Sequence, residues 1–166
     1  MKNLCAIPWV GFSNDPNGSV RPCCISKEHV TKPDGSNFYT QLDNVRDIFH
    51  SQYMNNLRKE FIQGKKPKNC EVCWKDEDNG ADSLRLISNR TIGPNTNRPI
   101  MEQIKEPKLS DLKSFDLTLG NLCNLKCVMC NPGLSSQLLA EANLNPTLKN
   151  RYDKNRLCFF RWRSRL

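Results

Sequence analysis

The chain has 166 residues, of which 37% are hydrophobic, and a formal net charge of +8. Its longest nearly apolar stretch covers residues 4–12 and includes a proline, far short of the roughly 20 residues of a membrane-spanning helix. The first residues are also too polar for a secretory signal, so the expected location is the reducing cytoplasm, where disulfides are rare. The nine cysteines are therefore expected to be mainly metal ligands or catalytic thiols.

The first 40 residues are rich in turn-forming residue types and predict a small β-hairpin. The sequence DPNG at residues 15–18 is a strong turn signal, and short apolar stretches at residues 6–12 and 20–24 flank it. Cysteines lie near both ends of this hairpin.

Residues 44–63 show apolar side chains at helical spacing. Asn44 and Ser51 are candidate N-caps, and Gly64 is placed to end the helix. A second helical stretch is predicted at residues 69–86, with an interruption at Asn79 and Gly80.

Residues 91–113 contain three prolines and several asparagines, a composition typical of a linker. Residues 114–119 alternate with the period of a strand and lead into a cysteine-rich loop, after which Ser135 or Ser136 can cap a helix. The stretch 114–145 is therefore predicted to be one strand–loop–helix unit.

Residues 146–166 carry seven basic residues and one acidic residue, which makes this segment +6 of the total +8. Arginines interleaved with aromatic residues can contact phosphates and stack on bases. No nucleic-acid-binding motif accompanies the segment, so we interpret it as an incidental basic tail and do not expect nucleic acid as a partner. Cys158 in this tail has no partner by spacing.

Cys123, Cys127 and Cys130 form the motif C-x3-C-x2-C, written CNLKCVMC. Three thiolates are one fewer than a closed structural zinc site uses. A [4Fe–4S] cluster held by three thiolates keeps one iron free for another ligand. A partly filled zinc site or spare thiols are the alternative reading.

This loop, preceded by LTLGNL, strongly resembles the cluster-binding loop of the radical S-adenosylmethionine (radical SAM) superfamily. The resemblance implies that S-adenosylmethionine binds the open iron and is cleaved reductively to a 5′-deoxyadenosyl radical, which abstracts hydrogen from a peptide or other small substrate. It also implies an electron donor such as a ferredoxin or flavodoxin. Met129 stands where many members of the superfamily have an aromatic residue beside the adenine, and it is the candidate residue for that contact.

A second set of cysteines lies upstream and comprises C-x12-G-x4-C, from Cys5 through Gly18 to Cys23, and the C-x2-C pair Cys70 and Cys73. Four thiolates are enough for a fully ligated metal centre. By spacing alone, a four-cysteine zinc site is as good a reading as an iron–sulfur cluster. Cys24 is an alternative ligand to Cys23.

With PCC at residues 22–24 and CW at 73–74, the set resembles the auxiliary-cluster module of the SPASM/twitch type, which implies an auxiliary [4Fe–4S] cluster. The order is unusual, because the module here precedes the radical SAM loop. A non-enzymatic zinc-binding interaction module with a basic tail is the alternative function.

The expected fold is α+β. A small cysteine-rich auxiliary-cluster module of a β-hairpin and helices (residues 1–90) and a linker (91–113) precede the first strand–loop–helix unit (114–145) of an incomplete radical SAM (β/α) partial barrel, followed by the basic tail (146–166). About 30 residues are needed for each further βα unit, so we expect the chain to be the N-terminal part of a longer enzyme, with little activity by itself.

Overall fold

A computed structural model describes residues 3–92, 100–123, 125, 127 and 130–147. The fold is a small mixed α/β arrangement in which a three-stranded sheet is accompanied by several helices. The chain divides into two units, the first ending at Leu117 and the second beginning at Thr118. Within the described ranges, every helix is too short or too polar to cross a membrane.

The predicted hairpin is confirmed, with both strands shorter than the apolar stretches that predicted them. Strand β1 (Gly11–Asn14) pairs antiparallel with β2 (Val20–Arg21), and Gly18 in the connecting turn has φ of +85°. That left-handed conformation is one that glycine adopts without steric cost. Part of the first apolar stretch forms a helical turn instead, α1 (Ile7–Val10), because a proline fits the first turn of a helix.

Strand β3 (Ser114–Asp116) completes the sheet. It pairs in parallel with β1, so the strand order is β2-β1-β3. The predicted strand extended to residue 119, but the observed strand ends at Asp116 because β1 enters its turn at Asp15. Gly11 faces Ser114, and a Cβ at Gly11 would lie 1.9 Å from the Ser114 carbonyl oxygen. The pairing of β1 with β3 therefore depends on the missing side chain of Gly11.

Replacing Gly11 by alanine is expected to destabilise unit 1. The added methyl group must push β3 away or strain both strands, which costs about 1–3 kcal/mol in a well-packed interior. Urea unfolding of the parent and of Gly11→Ala measures the difference. An unchanged free energy of unfolding would show that the strands are not held this close.

The predicted helical segment after the hairpin forms two helices, α2 (Val45–Phe49) and α3 (Gln52–Ile62). Both predicted N-caps are confirmed. The Asn44 side-chain oxygen accepts a hydrogen bond from the Arg46 amide at 2.8 Å, and the Ser51 hydroxyl accepts one from the Met54 amide at 3.3 Å. Each cap satisfies an amide that has no partner inside its own helix.

The second predicted helical stretch is divided where the sequence indicated. A 3₁₀ turn (Lys68–Cys70) leads directly into α4 (Glu71–Asp78), and α5 (Leu84–Thr91) follows after a break. Gly80 lies in the break with φ of +76°. The last of these helices extends to Thr91, beyond the predicted end at residue 86.

The stretch predicted to be a linker contains regular structure. Helix α6 (Ile100–Lys105) and a 3₁₀ turn (Leu109–Asp111) lie within it, and Gln103 and Ile104 are buried. The three prolines flank this helix instead of interrupting it, so they do not prevent it from forming. Residues 93–99 lie outside the described residues.

The core of unit 1 consists of two clusters of buried side chains. The first contains Cys5, Trp9, Val10, Leu57, Phe61, Trp74 and Ile104. The second contains Phe12, Val20, Val30, Phe38, Ile48 and Met54. Tyr53 packs against both clusters, and Cys70 packs against the first. Two of the four N-terminal candidate ligands are therefore held by the packing of the core.

In unit 2, the three-cysteine loop leads into α7 (Ser136–Leu144). The Ser135 hydroxyl accepts a hydrogen bond from the Leu138 amide at 3.4 Å, which confirms the predicted cap. The basic tail lies outside the described residues from residue 148 onward, and Cys158 lies there with it.

Candidate metal centre

The four N-terminal candidate cysteines lie around one pocket. Cys5, Cys23, Cys70 and Cys73 all line it. Their neighbours on the wall are mainly apolar: Ile7, Ile25, Phe61, Val72 and Leu84. The pocket has about 330 Å³ of empty volume, including space that is open to solvent. Segments far apart in sequence thus bring four cysteine side chains to one apolar site.

Cys5 is placed by helix α5. The Asn89 side-chain amide donates to the Leu4 carbonyl at 2.7 Å, and its oxygen accepts from the Ala6 amide at 2.8 Å. Arg85 donates to the same Leu4 carbonyl at 2.8 Å. The residues on both sides of Cys5 are thereby tied to one helix, which fixes the buried cysteine between them.

Cys23 follows β2 in a loop braced by a buried ion pair. The Arg21 guanidinium donates to Asp15 at 2.9 Å and also donates to the Ser26 carbonyl. The Ser26 amide in turn donates to the Cys23 carbonyl at 3.1 Å. The hairpin turn therefore helps to position Cys23.

Cys23 and Cys24 have different surroundings. Cys23 is on the wall of the pocket, whereas Cys24 is not among its lining residues. Burial raises the pKa of the Cys24 thiol, and its hydrogen bond and proximity to the Asp116 carboxylate raise it further. The geometry thus favours Cys23 as the fourth ligand.

Cys70 and Cys73 come from the 3₁₀ turn and the first turn of α4. Residues three apart at the start of a helix share one face, so both thiols can point into the same space. Trp74 fixes this turn: its indole N–H donates to the Pro67 carbonyl at 3.0 Å, and its ring packs against Phe61 with ring centres 6.4 Å apart.

The surroundings of the four thiols favour the protonated thiol over the thiolate in the absence of a metal. Burial raises the pKa of each one, to about 12 for Cys23. Charge on Cys23, Cys70 and Cys73 raises the pKa of Cys5 further. Because a thiolate is the form that binds metal, a cation in the pocket would relieve both the burial penalty and this mutual repulsion.

Cys73 is set apart by a backbone hydrogen-bond donor at the start of α5. Burial raises the pKa of its thiol, while a hydrogen bond from the backbone N–H of Arg85 lowers it. The Arg85 side chain pairs with Glu77, its Nε 2.9 Å from Oε1, and lies 4.9 Å above the Trp74 ring. Arg85 is therefore part of the pocket wall, and the Glu77 carboxylate is paired with the Arg85 guanidinium.

The residues of the pocket fit an iron–sulfur cluster. In a [4Fe–4S] cube, four thiolates each bind a different iron, so the ligands surround a volume. A structural zinc site draws four sulfurs to about 2.3 Å around one point. Four thiols that line one shared space, with an N–H donor directed at the Cys73 sulfur, are compatible with a [4Fe–4S] cluster.

The three-cysteine loop belongs to unit 2. The Leu125 amide donates to the Cys123 sulfur at 3.4 Å, and the Cys130 amide donates to the Cys127 carbonyl at 2.9 Å. Cys127 is exposed. Met129 lies outside the described residues, so its predicted contact with adenine remains a prediction.

All eight cysteines in the described ranges have free thiols. Across those same ranges, neither set is drawn into a group of three or more His, Cys, Asp or Glu side chains placed to hold a single metal ion.

Some residues at the pocket carry no motif in the sequence. Arg85 lines the pocket without belonging to any cysteine motif, and Asn69 and Tyr53, which contact each other beside Cys70, also lie outside those motifs. The position of Asn69 directly before the C-x2-C pair is the one signal that could have drawn attention to it.

Comparison with known families gives a match over the N-terminal part of the chain. Residues 5–75 match the SPASM family, an iron–sulfur cluster-binding domain. The matched range contains all four cysteines of the pocket, which supports the prediction of a SPASM/twitch-type iron–sulfur domain in this part of the chain. No curated protein and no solved structure gave a match.

Proposed function

We propose that the protein is a radical SAM iron–sulfur protein whose N-terminal domain holds an auxiliary [4Fe–4S] cluster. The observation that carries the proposal is the pocket lined by Cys5, Cys23, Cys70 and Cys73, inside a segment that matches an iron–sulfur cluster-binding family. These four residues are the proposed ligands of the auxiliary cluster.

The three-cysteine loop is the proposed site of a second [4Fe–4S] cluster, held by Cys123, Cys127 and Cys130. Its spacing and the strand before it support this assignment. With three protein ligands, such a cluster has one iron open to S-adenosylmethionine, and the chemistry it supplies when bound is reductive cleavage of that molecule for hydrogen abstraction.

The chain's own residues would do three things in this function. The thiols of each set bind iron, and the apolar wall formed by Ile7, Ile25 and Phe61 limits water at the auxiliary cluster. The backbone N–H of Arg85 at the start of α5 stabilises charge on Cys73. A peptide or another small molecule is the proposed substrate class, and a ferredoxin or flavodoxin the proposed electron donor.

Electron paramagnetic resonance of the anaerobically reconstituted, reduced protein tests the assignment of the loop. Adding S-adenosylmethionine is expected to change the spectrum of the parent. A variant with Cys123, Cys127 and Cys130 all replaced by alanine is expected to lose this response and about half of the iron, about four of eight atoms for two [4Fe–4S] clusters.

The variant Cys24→Ala, which leaves both proposed ligand sets intact, serves as the control and should behave as the parent does. A parent spectrum that S-adenosylmethionine leaves unchanged, together with full iron in the triple variant, would contradict the proposal for the loop.

A further inference from the structure

A chain of hydrogen bonds leads away from the Cys70 sulfur. The Cys70 thiol donates to Asn69 Oδ1 at 3.5 Å, and Asn69 Nδ2 donates to the Tyr53 hydroxyl oxygen at 2.8 Å. The Tyr53 hydroxyl donates to Glu28 Oε2 at 3.1 Å. Every proton in this chain is directed away from Cys70. Asn69 is only 7% exposed, so water has little access to replace these contacts.

Iron bound to Cys70 removes the first proton of the chain, because cysteine binds metal as the thiolate. Asn69 Oδ1 would then face a sulfur that only accepts hydrogen bonds. Half a turn of the side-chain amide exchanges its oxygen and its nitrogen. After that turn, Nδ2 donates to the Cys70 sulfur. The Tyr53 hydroxyl then donates to Asn69 Oδ1 and no longer to Glu28.

A hydrogen-bond donor at Cys70 would stabilise negative charge in surroundings that disfavour it. Burial raises the pKa of the Cys70 thiol most. The neighbouring Cys23 and Cys73 sulfurs raise it further, as do the carboxylates of Glu60 and Glu28, so negative charge at Cys70 is disfavoured. Reduction of a cluster adds one more negative charge. Hydrogen bonds to the cluster sulfurs are one of the factors that set its reduction potential, because they stabilise that added charge.

Building on the proposed function, we propose that the Asn69 amide donates a hydrogen bond to the iron-bound sulfur of Cys70 and raises the reduction potential of the auxiliary cluster. Tyr53 is a positioning residue: its hydroxyl proton keeps the amide in the orientation that directs Nδ2 at the sulfur.

The test is a redox titration followed by electron paramagnetic resonance, on the full chain with Cys123, Cys127 and Cys130 replaced by alanine so that one cluster is observed. Asn69→Asp, which presents only acceptor oxygens when ionised, is expected to shift the midpoint potential to more negative values. Tyr53→Phe is expected to shift it in the same direction by a smaller amount.

Asn56→Asp is the matched control. It makes the same change at an exposed position of α3, the helix that carries Tyr53, and should leave the potential unchanged. Unshifted potentials in Asn69→Asp and Tyr53→Phe, at the iron content of the parent, would overturn the inference.

If Asn69→Asp assembles no cluster, Tyr53→Phe decides the question, because it removes a single oxygen atom. A parent that binds no iron would overturn the proposed function itself, which is a different result from a parent that binds a cluster whose potential the variants do not change.

Discussion

Replacing Cys23 by alanine is expected to abolish iron binding at the N-terminal pocket, whereas Cys24→Ala should leave it intact. The two cysteines are neighbours in sequence, but Cys23 lines the pocket and Cys24 is held by Asp116. Removing one of four thiolates leaves an iron without its protein ligand, so a buried auxiliary cluster should be lost or strongly weakened.

Iron and labile sulfide, measured in both variants after anaerobic reconstitution, check this expectation. Each variant removes one sulfur atom from the same dipeptide, so general effects of losing a thiol are matched. Loss of iron in Cys24→Ala with retention in Cys23→Ala would show that the ligand assignment is reversed.

The second large effect is expected from Asp15→Asn. Asp15 is 8% exposed. Its carboxylate oxygens lie 2.9 Å from Arg21 Nε and 2.8 Å from His29 Nε2. Breaking a buried ion pair from one side leaves an uncompensated charge, so the variant should lose about 3 kcal/mol of unfolding free energy. Because Arg21 also holds the Ser26 carbonyl, the Cys23 loop should loosen as well.

The loss should depend on pH. Burial alone would raise the pKa of Asp15, but hydrogen bonds from His29 and Arg21 outweigh it and hold the pKa below the usual 3.8. The stabilisation by the ionised carboxylate is therefore complete above about pH 4 and is lost as the pH falls through the lowered folded-state pKa. The difference in unfolding free energy between the parent and Asp15→Asn should therefore shrink as the pH falls below about 4.

Urea unfolding at several pH values measures that difference. Asp34→Asn is the control, because Asp34 lies in an exposed turn and an asparagine oxygen can still accept its hydrogen bonds from Ser36. Similar stability of Asp15→Asn and the parent at neutral pH would show that the pair does not stabilise the hairpin.

Local sequence signals predicted much of the fold because the structures they specify are local. Asn44 and Ser51 cap their helices through bonds that span two or three residues, and Gly18 sets its turn by its own backbone conformation. The pairing of β3 with β1 joins residues about 100 positions apart, and no periodicity within either strand specifies its partner. The helix within residues 91–113 was missed because its prolines were interpreted as breaks in structure.

The candidate site shows the same division. Cysteine spacing was enough to predict four candidate ligands and favoured Cys23 over Cys24, and the structure places Cys23 on the wall of the pocket. Asn69 and Tyr53 belong to different helical segments, and their contact follows only from how these segments pack. Sequence patterns thus predicted the candidate ligands, while packing determines what surrounds them.

The most direct test of the central claim is the metal content of the N-terminal pocket. The full chain with Cys123, Cys127 and Cys130 replaced by alanine is reconstituted anaerobically with iron and sulfide, then assayed for iron, labile sulfide and zinc. We expect about four irons and four sulfides per chain, as in one [4Fe–4S] cluster, with a paramagnetic signal on reduction. Colourless protein that holds about one zinc per chain and no labile sulfide would contradict it.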